Sequence, residues 1–277
     1  MKRSLHCTAL AALVALAPLS AAAAPATVGS PALAWQSMGT LSPAEGQKEN
    51  IGVAGLLQGT FGDYIIVGGG ANFPAGGPLT GGAKVTYPDV YVLRAAEAGL
   101  TETDHAQMPY PVGYGVSATT PDGVLYFGGS TDESGARAVT RLTAPNGKLR
   151  TETLPALPFA LQNGVAAYDK DTVYLGGGKQ DGVLSKKFYT YDIKTGTLTS
   201  LPDFPGEARE QSVAEFLGGR FFVFSGGANV AYTDGYAYDP KAQTWTSVAG
   251  PNVNGTPVSL LGARAVRLNE DEMLVVG

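Results

Sequence analysis

Cysteine and histidine are nearly absent from this chain of 277 residues, which contains one Cys and two His. Cys7 and His6 lie close to the N-terminus, which leaves His105 for the rest of the chain. Zinc and copper sites need several His or Cys ligands, and disulfides and thiol catalysis need cysteine. No Gly-x-Ser-x-Gly elbow precedes His105, so a Ser-His-Asp triad is not indicated either. We therefore expect no metal site and no cofactor, and we interpret His105 as an ordinary strand or loop histidine.

Clustered positive charge is also missing. Charged residues make up 16% of the chain, and 19 Lys and Arg stand against 24 Asp and Glu, for a formal net charge of -5. Binding to a nucleic-acid backbone or to an anionic membrane surface depends on clustered Lys and Arg. Nucleic acid and membrane surfaces are therefore not expected as partners, and nothing in the sequence indicates an oligomeric state.

The N-terminus has the pattern of a secretory signal peptide. A positively charged start is followed by the apolar run Ala9–Leu19 and then by small residues that permit cleavage after Ala23 or Ala24. The apolar run is shorter than the roughly 20 residues that a membrane-spanning helix needs. We predict a signal peptide over residues 1–24, a linker over residues 25–34, export to the periplasm, and no membrane segment after cleavage.

Glycine and aromatic residues are abundant instead, with 38 Gly, 18 Pro, 13 Tyr and 10 Phe. This composition disfavours helices and favours short strands joined by tight turns. Apolar runs that end in glycine recur at intervals of 48 to 60 residues: Tyr64–Gly70, Val124–Gly129, Thr172–Gly178, Phe221–Gly227 and Met273–Gly277. Paired glycines permit a positive φ and a close backbone approach where a strand ends.

Each repeat supplies about four strands. In the fourth repeat we predict strands at Ser212–Phe216, Arg220–Phe224, Gly235–Asp239 and Thr244–Val248. Strand quartets with a period near fifty and glycine markers indicate an all-β, kelch-type β-propeller over residues 35–277. A repetitive β-sandwich, the alternative, would not place Gly-Gly after the same strand of every repeat. Four full blades are predicted, with two strands of a fifth.

The two ends of this region predict an incomplete propeller. Residues 35–43 resemble the outermost strand of a blade without inner strands, and the chain stops at Gly277 inside a glycine motif. Propellers commonly close by building one blade from both termini. We expect a longer propeller that continues past Gly277 by about one and a half blades.

The segments that lead into the first strand of each blade converge at the mouth of a propeller channel, the default place for a small ligand. Glu49, Tyr114, Asn163, Arg209 and Gln211 lie in these segments. Amide, phenol and guanidinium groups suit a polyhydroxylated, anionic small molecule, with Arg209 as a fork for its carboxylate. Alternatively, Arg209 pairs with an acidic residue of a neighbouring blade and the amides only cap turns.

Several stretches resemble the cyclically permuted branch of the kelch-type N-acetylneuraminate epimerases, also called sialic acid mutarotases. These stretches are Gly68–Pro74, Tyr114–Ser117, Phe204–Gln211, Thr233–Tyr236 and Ser259–Ala263. The resemblance extends from about Trp35 to Gly277. It implies a six-bladed, exported propeller that interconverts the anomers of free sialic acid by general acid-base chemistry without a cofactor.

The resemblance also implies that Tyr114, Arg209 and Gln211 contact the sugar acid. The family's catalytic glutamate and a nearby arginine belong to a blade that would follow Gly277, so no catalytic residue is assigned in this chain. The expected substrate-binding residues are Arg209, Gln211, Tyr114, Asn163, Asn72 and Glu49. A non-catalytic carbohydrate-binding or protein-interaction propeller is the alternative function.

Overall fold

The computed structural model describes residues 12–13, 36–96, 99–129 and 132–277. The chain divides into two compact units, one of residues 38–212 and one that contains residues 213–277. The predicted signal peptide and linker lie outside the described residues, apart from a two-residue strand, Ala12–Leu13, that pairs with Leu274 and Val275. Within the described ranges, no helix has the length and apolar character needed to cross a membrane.

Residues 38–212 form three antiparallel sheets of four strands, and the strands of each sheet follow one another in chain order. Sheet 1 contains Leu57–Phe61, Tyr64–Gly68, Asp89–Ala96 and Gly99–Gln107; sheet 2 contains Val116–Thr120, Gly123–Phe127, Val139–Thr143 and Arg150–Leu154; sheet 3 contains Val165–Asp169, Thr172–Gly176, Phe188–Asp192 and Leu198–Ser200. Short paired strands accompany them at Ala71–Asn72 with Val85–Thr86, and at Leu161–Gln162, Lys179–Gln180 and Val183–Leu184. The helical segments are short: Pro78–Thr80, Glu133–Ala136 and Pro145–Gly147.

Residues 213–277 form a fourth sheet and the start of another. Sheet 4 contains Val213–Leu217, Arg220–Phe224, Gly235–Asp239 and Thr244–Val248, and Arg264–Arg267 pairs with Met273–Val276. A small hairpin joins Asn252–Val253 to Thr256–Pro257. The predicted strand quartets are confirmed, with four full sheets and two strands of a fifth, and this all-β arrangement is consistent with the predicted β-propeller.

The second strand of sheet 2 is apolar on both faces because it lies between sheet 1 and sheet 3. In sheet 2, Val124 and Tyr126 pack in the core shared with sheet 1, whereas Leu125 and Phe127 pack in the core shared with sheet 3. All four side chains are at most 2% exposed. This packing explains why the strand reads as a continuous apolar run rather than as an alternating one.

In residues 38–212, the glycine pairs that follow the second strands bond to the segment that precedes the next repeat. Gly128 and Gly129 have φ angles of 62° and 77°, as expected for a chain reversal that a side chain would hinder. A Cβ on Gly128 would lie 2.4 Å from the carbonyl oxygen of Leu161. The amide of Gly129 donates to that same oxygen at 2.9 Å, and the equivalent bonds Gly70 to Val112 and Gly178 to Arg209 measure 2.7 and 2.9 Å.

One predicted strand is wrong. Residues 36–43 form no regular strand, and Trp35 lies outside the described residues. One backbone bond, from the amide of Leu100 to the carbonyl of Met38, joins this segment to sheet 1 at 3.1 Å. Side chains provide the other contacts: Glu102 accepts from the amide and hydroxyl of Ser42 at 3.1 and 2.8 Å. A segment held mainly by side chains does not need the ladder that defines a strand.

Candidate functional site

Four turns in residues 38–212 share a left-handed backbone at corresponding positions of the repeats. They are centred on Gly55, Tyr114, Asn163 and Gln211, whose φ angles are 68°, 63°, 53° and 57°. Each precedes the first strand of a repeat, and we call them the lead-in turns. A positive φ is uncommon for residues other than glycine, so its recurrence at these positions marks a shared structural requirement.

The lead-in turns are bonded to one another in a continuous row. The amide of Tyr114 donates to the carbonyl of Gly55 at 2.7 Å, Asn163 donates to Tyr114 at 2.6 Å, and Gln211 donates to Asn163 at 2.8 Å. Three of the six predicted substrate-binding residues therefore lie side by side. Their backbones are held in place by neighbouring repeats, which gives their side chains a fixed starting point for contacts with a ligand.

Tyr114 contacts both the preceding turn and a lysine. A Cβ on Gly55 would lie 2.4 Å from Cδ1 of the Tyr114 ring, so only glycine fits there. The ammonium of Lys84 lies 4.0 Å from the centroid of the same ring. Lys84 directly precedes the strand Val85–Thr86, which pairs with Ala71–Asn72. This hairpin brings a cation to the row of lead-in turns.

Asn163 is bonded to a carboxylate that we did not predict. Its Nδ2 donates to Oε2 of Glu210 at 2.7 Å, and the Nζ of Lys179 lies 3.1 Å from Oε1 of the same residue. The side chain of Glu210 is 21% exposed. Glu210 lies between Arg209 and Gln211, two residues that the sequence analysis selected. Spacing alone does not show which of these three successive side chains contacts Asn163.

Arg209 lies inside its own loop. It is 3% exposed, its Nε donates to the carbonyl of Glu207 at 2.9 Å, and its guanidinium carbon lies 5.1 Å from the ring centroid of Phe204. The carbonyl of Arg209 also accepts the amide of Gly178. These contacts shape the loop that leads to Gln211, and the role of Arg209 as a carboxylate fork stays a prediction.

Asn72 and Glu49 line a cavity of about 590 Å³ beside sheet 1. Asn72 donates from Nδ2 to the carbonyl of Gly52 at 2.7 Å and accepts the hydroxyl of Tyr87 at 2.7 Å. Asn72 therefore fixes the wall of the cavity, whereas Glu49 is exposed. Lys48 is a further charged residue in the lining.

His105 lies in the fourth strand of sheet 1, as a strand histidine. Its Nε2 is 2.7 Å from Oδ1 of the buried Asp89, and its ring stacks on Tyr91 at 4.4 Å. Burial, with the nearby charges of Asp89 and Glu102, raises the pKa of Tyr91 to about 12. Tyr91 and Asp89 line the cavity, so this part of the wall holds a neutral phenol over the physiological pH range.

Ser42 completes a Ser-His-Asp contact without the geometry of a catalytic triad. Its Oγ is 3.4 Å from Nδ1 of His105, but it lies closer to Glu102, at 2.8 Å from Oε1. A carboxylate only accepts, so the hydroxyl proton points to Glu102 and away from the imidazole that would have to take it. In the part of the chain that the structure describes, no group of three or more His, Cys, Asp or Glu residues is placed to hold a metal ion.

Comparison with known proteins shows that the second part of the chain resembles a known family. Residues 154–277 match the N-acetylneuraminate epimerase family. The N-acetylneuraminate epimerase of Salmonella arizonae is 37% identical over 135 residues, which cover 45% of this chain and 33% of that protein. The enzymes of Salmonella typhi and Shigella flexneri serotype 5b are 35% identical over 135 and 101 residues, covering 45% and 34% of this chain and 33% and 27% of those proteins.

The predicted resemblance to N-acetylneuraminate epimerases is confirmed over this part of the chain. The matched region spans about a third of the length of the curated relatives. Asn163, Arg209 and Gln211 lie within residues 154–277, together with Glu210. Tyr114, Asn72 and Glu49 lie before the matched residues, and the structure connects Tyr114 to Asn163 through the row of lead-in turns.

Proposed function

We propose that this chain belongs to an exported N-acetylneuraminate epimerase that interconverts the α and β anomers of free sialic acid. The observation that carries the proposal is the family match over residues 154–277. The row of lead-in turns supports it, because it presents a phenol at Tyr114 and amides at Asn163 and Gln211 along one edge of the sheets. Such groups suit a sugar with many hydroxyls.

The chemistry of this reaction requires proton transfer and no change of oxidation state. The ring oxygen gains a proton while the anomeric hydroxyl loses one, the ring opens, and it closes again on the other face. A carboxylate with polar partners supplies such general acid-base catalysis. The family resemblance leads us to expect that carboxylate in a blade beyond Gly277. We assign to the described residues the task of binding and orienting the sugar, which lowers the barrier by fixing its position.

Export is part of the same proposal. Cleavage after Ala23 or Ala24 would release the propeller into the periplasm, where free sialic acid would reach it without crossing the inner membrane. The intact mass of the protein recovered from a periplasmic fraction tests this step. A mass that retains residues 1–24 would contradict it.

The activity is tested by one-dimensional proton NMR of N-acetylneuraminate dissolved immediately before measurement, when one anomer is in excess. We expect the whole protein to speed the approach to anomeric equilibrium in proportion to its concentration, with heat-denatured protein as the control. Sugar binding without faster equilibration would favour the non-catalytic carbohydrate-binding alternative. The uncatalysed rate without any binding would overturn the proposal.

A further inference from the structure

Most lysines of residues 38–212 are neutralised by a carboxylate. The ion pairs are Lys148 with Asp104, Lys179 with Glu210, Lys186 with Glu207, Lys187 with Asp203, and Lys194 with Asp171, at distances of 2.6 to 3.7 Å. Lys84 differs from them, because no carboxylate of the described residues lies within ion-pair distance of its ammonium. It contacts the uncharged ring of Tyr114 instead.

The position of Lys84 within its sheet sets it apart from Lys170, another lysine of residues 38–212 that forms no ion pair with the described residues. The connection between the second and third strands of an antiparallel sheet lies at the same edge as the start of the first strand. Lys84 is in that connection of sheet 1, and its contact with Tyr114 places it at the row of lead-in turns. Lys170 is in the turn between the first two strands of sheet 3 and therefore lies at the opposite edge.

We propose that Lys84 binds the carboxylate of the sugar acid and gives the site its preference for acidic over neutral sugars, an inference that rests on the proposed function. The ring of Tyr114 attracts the ammonium to a defined place without using its three N–H donors. Those donors remain for the ligand. A sugar carboxylate bound there would meet the phenol of Tyr114 and then the amide-bearing turns along the row.

The other cations of the row are less suited to this task. Lys179 is already neutralised by Glu210, so a ligand carboxylate there would meet a like charge. Arg209 is 3% exposed and its Nε is bonded to Glu207 within the same loop. Lys84 combines exposure, an unneutralised charge and contact with a lead-in turn.

Titration of the whole protein with N-acetylneuraminate and with its methyl ester tests the inference, since the ester keeps the sugar and lacks the negative charge. We expect the wild-type protein to bind the acid about tenfold more tightly, a factor that corresponds to about 1.4 kcal/mol. Lys84→Met should remove this preference by weakening the acid alone, and Lys84→Arg should restore most of it. Lys170→Met, which removes an unpaired lysine from the opposite edge, should leave both affinities unchanged.

The outcomes separate the inference from the proposed function. If wild type prefers the acid and Lys84→Met keeps that preference, or if wild type binds acid and ester equally, the role of Lys84 is overturned while sugar binding stands. If wild type binds neither compound, the proposed function fails and the inference fails with it. Equal melting temperatures of wild type and Lys84→Met would show that the variant is folded.

Discussion

The two units of the chain use different atoms to bond the end of a second strand to a following segment. In residues 38–212 the amide of a second glycine donates to the next lead-in segment, as Gly129 does to Leu161. In residues 213–277 the first left-handed position is Ser225, with φ 55°, and its Oγ accepts the amide of Leu260 at 3.0 Å. The left-handed turn is thus the common requirement, and either a backbone or a side-chain atom can make the link.

A second difference lies at the centre of the first strand. Sheets 1, 2 and 3 carry the small residues Gly59, Ala118 and Ala167 there, whereas sheet 4 carries Glu215, opposite Phe222. Burial raises the pKa of the Glu215 carboxyl. Its Oε1 accepts the amide of Phe216 at 2.8 Å. Residues 213–277 therefore tolerate a polar group where the first three sheets have only small residues.

The largest expected effect tests the glycine link itself. Gly128→Ala puts a Cβ 2.4 Å from the Leu161 carbonyl, whereas the matched variant Gly177→Ala meets no atom closer than 3.3 Å, and both glycines have φ near 60°. We expect Gly128→Ala to lose about 4 kcal/mol of unfolding free energy, through both clash and backbone strain. Gly177→Ala should lose only the cost of the left-handed backbone, about 1 to 2 kcal/mol. Urea unfolding measures both, and equal losses would show that close approach is unimportant.

A smaller effect is expected at the serine link. Ser225→Ala leaves the partly buried amide of Leu260 without its acceptor, which should cost about 1 to 3 kcal/mol. Ser225→Gly loses the same bond but relieves the positive φ, so it should cost less than Ser225→Ala. Thermal unfolding of the two variants compares them. A stability equal to that of wild type in both would mean that the hydroxyl does not join these segments.

The smallest effects are pH-dependent and opposite in sign. Because the folded-state pKa of Glu215 is raised, stability falls as the pH rises from the ordinary glutamate value through the raised one. Glu215→Gln should therefore stabilise the protein at neutral pH, and the gain should vanish in acid.

The amides of Ala242 and Lys241 lower the pKa of Asp239. That carboxylate therefore stabilises the fold at neutral pH and loses its contribution as the pH falls through the lowered pKa.

Asp239→Asn is the matched variant for this pair, because Asp239 lies in the same sheet as Glu215. It should destabilise the protein at neutral pH and have little effect in acid. The two trends are measured as melting temperatures of wild type and both variants between about pH 3 and pH 8, a range that includes the ordinary carboxyl pKa values. Parallel curves for all three proteins would contradict both assignments.

The strands were predictable because their signals are local. The fourth repeat was predicted from Ser212 to Phe216 for its first strand and is observed from Val213 to Leu217. Alternation, apolar runs and terminal glycines specify such elements within a few residues of sequence. In the fourth repeat, the glycine pair of the sequence begins at Gly226, but the first left-handed residue of the turn is Ser225. No local pattern indicates that a serine adopts a left-handed backbone there.

The candidate site was predictable only as a set of segments. The segments before each repeat were chosen from topology, and three of their residues, Tyr114, Asn163 and Gln211, form the row with Gly55. The direction of individual side chains depends on contacts between residues about fifty positions apart, which no local pattern contains. The bond between Asn163 and Glu210, which are 47 positions apart, is a contact of this kind. Residues 36–43 look like a strand by composition but lack a full backbone partner.

The row of lead-in turns has a direction, since Tyr114, Asn163 and Gln211 each donate their amide to the turn that precedes them along the chain. Removal of one whole repeat, such as residues 115–163, would leave the amide of Gln211 as a donor and the carbonyl of Tyr114 as an acceptor of the same kind. No orphaned polar group would remain along the row. Each repeat contributes one lead-in residue to this edge. Adding or removing a whole repeat would therefore lengthen or shorten a ligand site along the row by one lead-in residue.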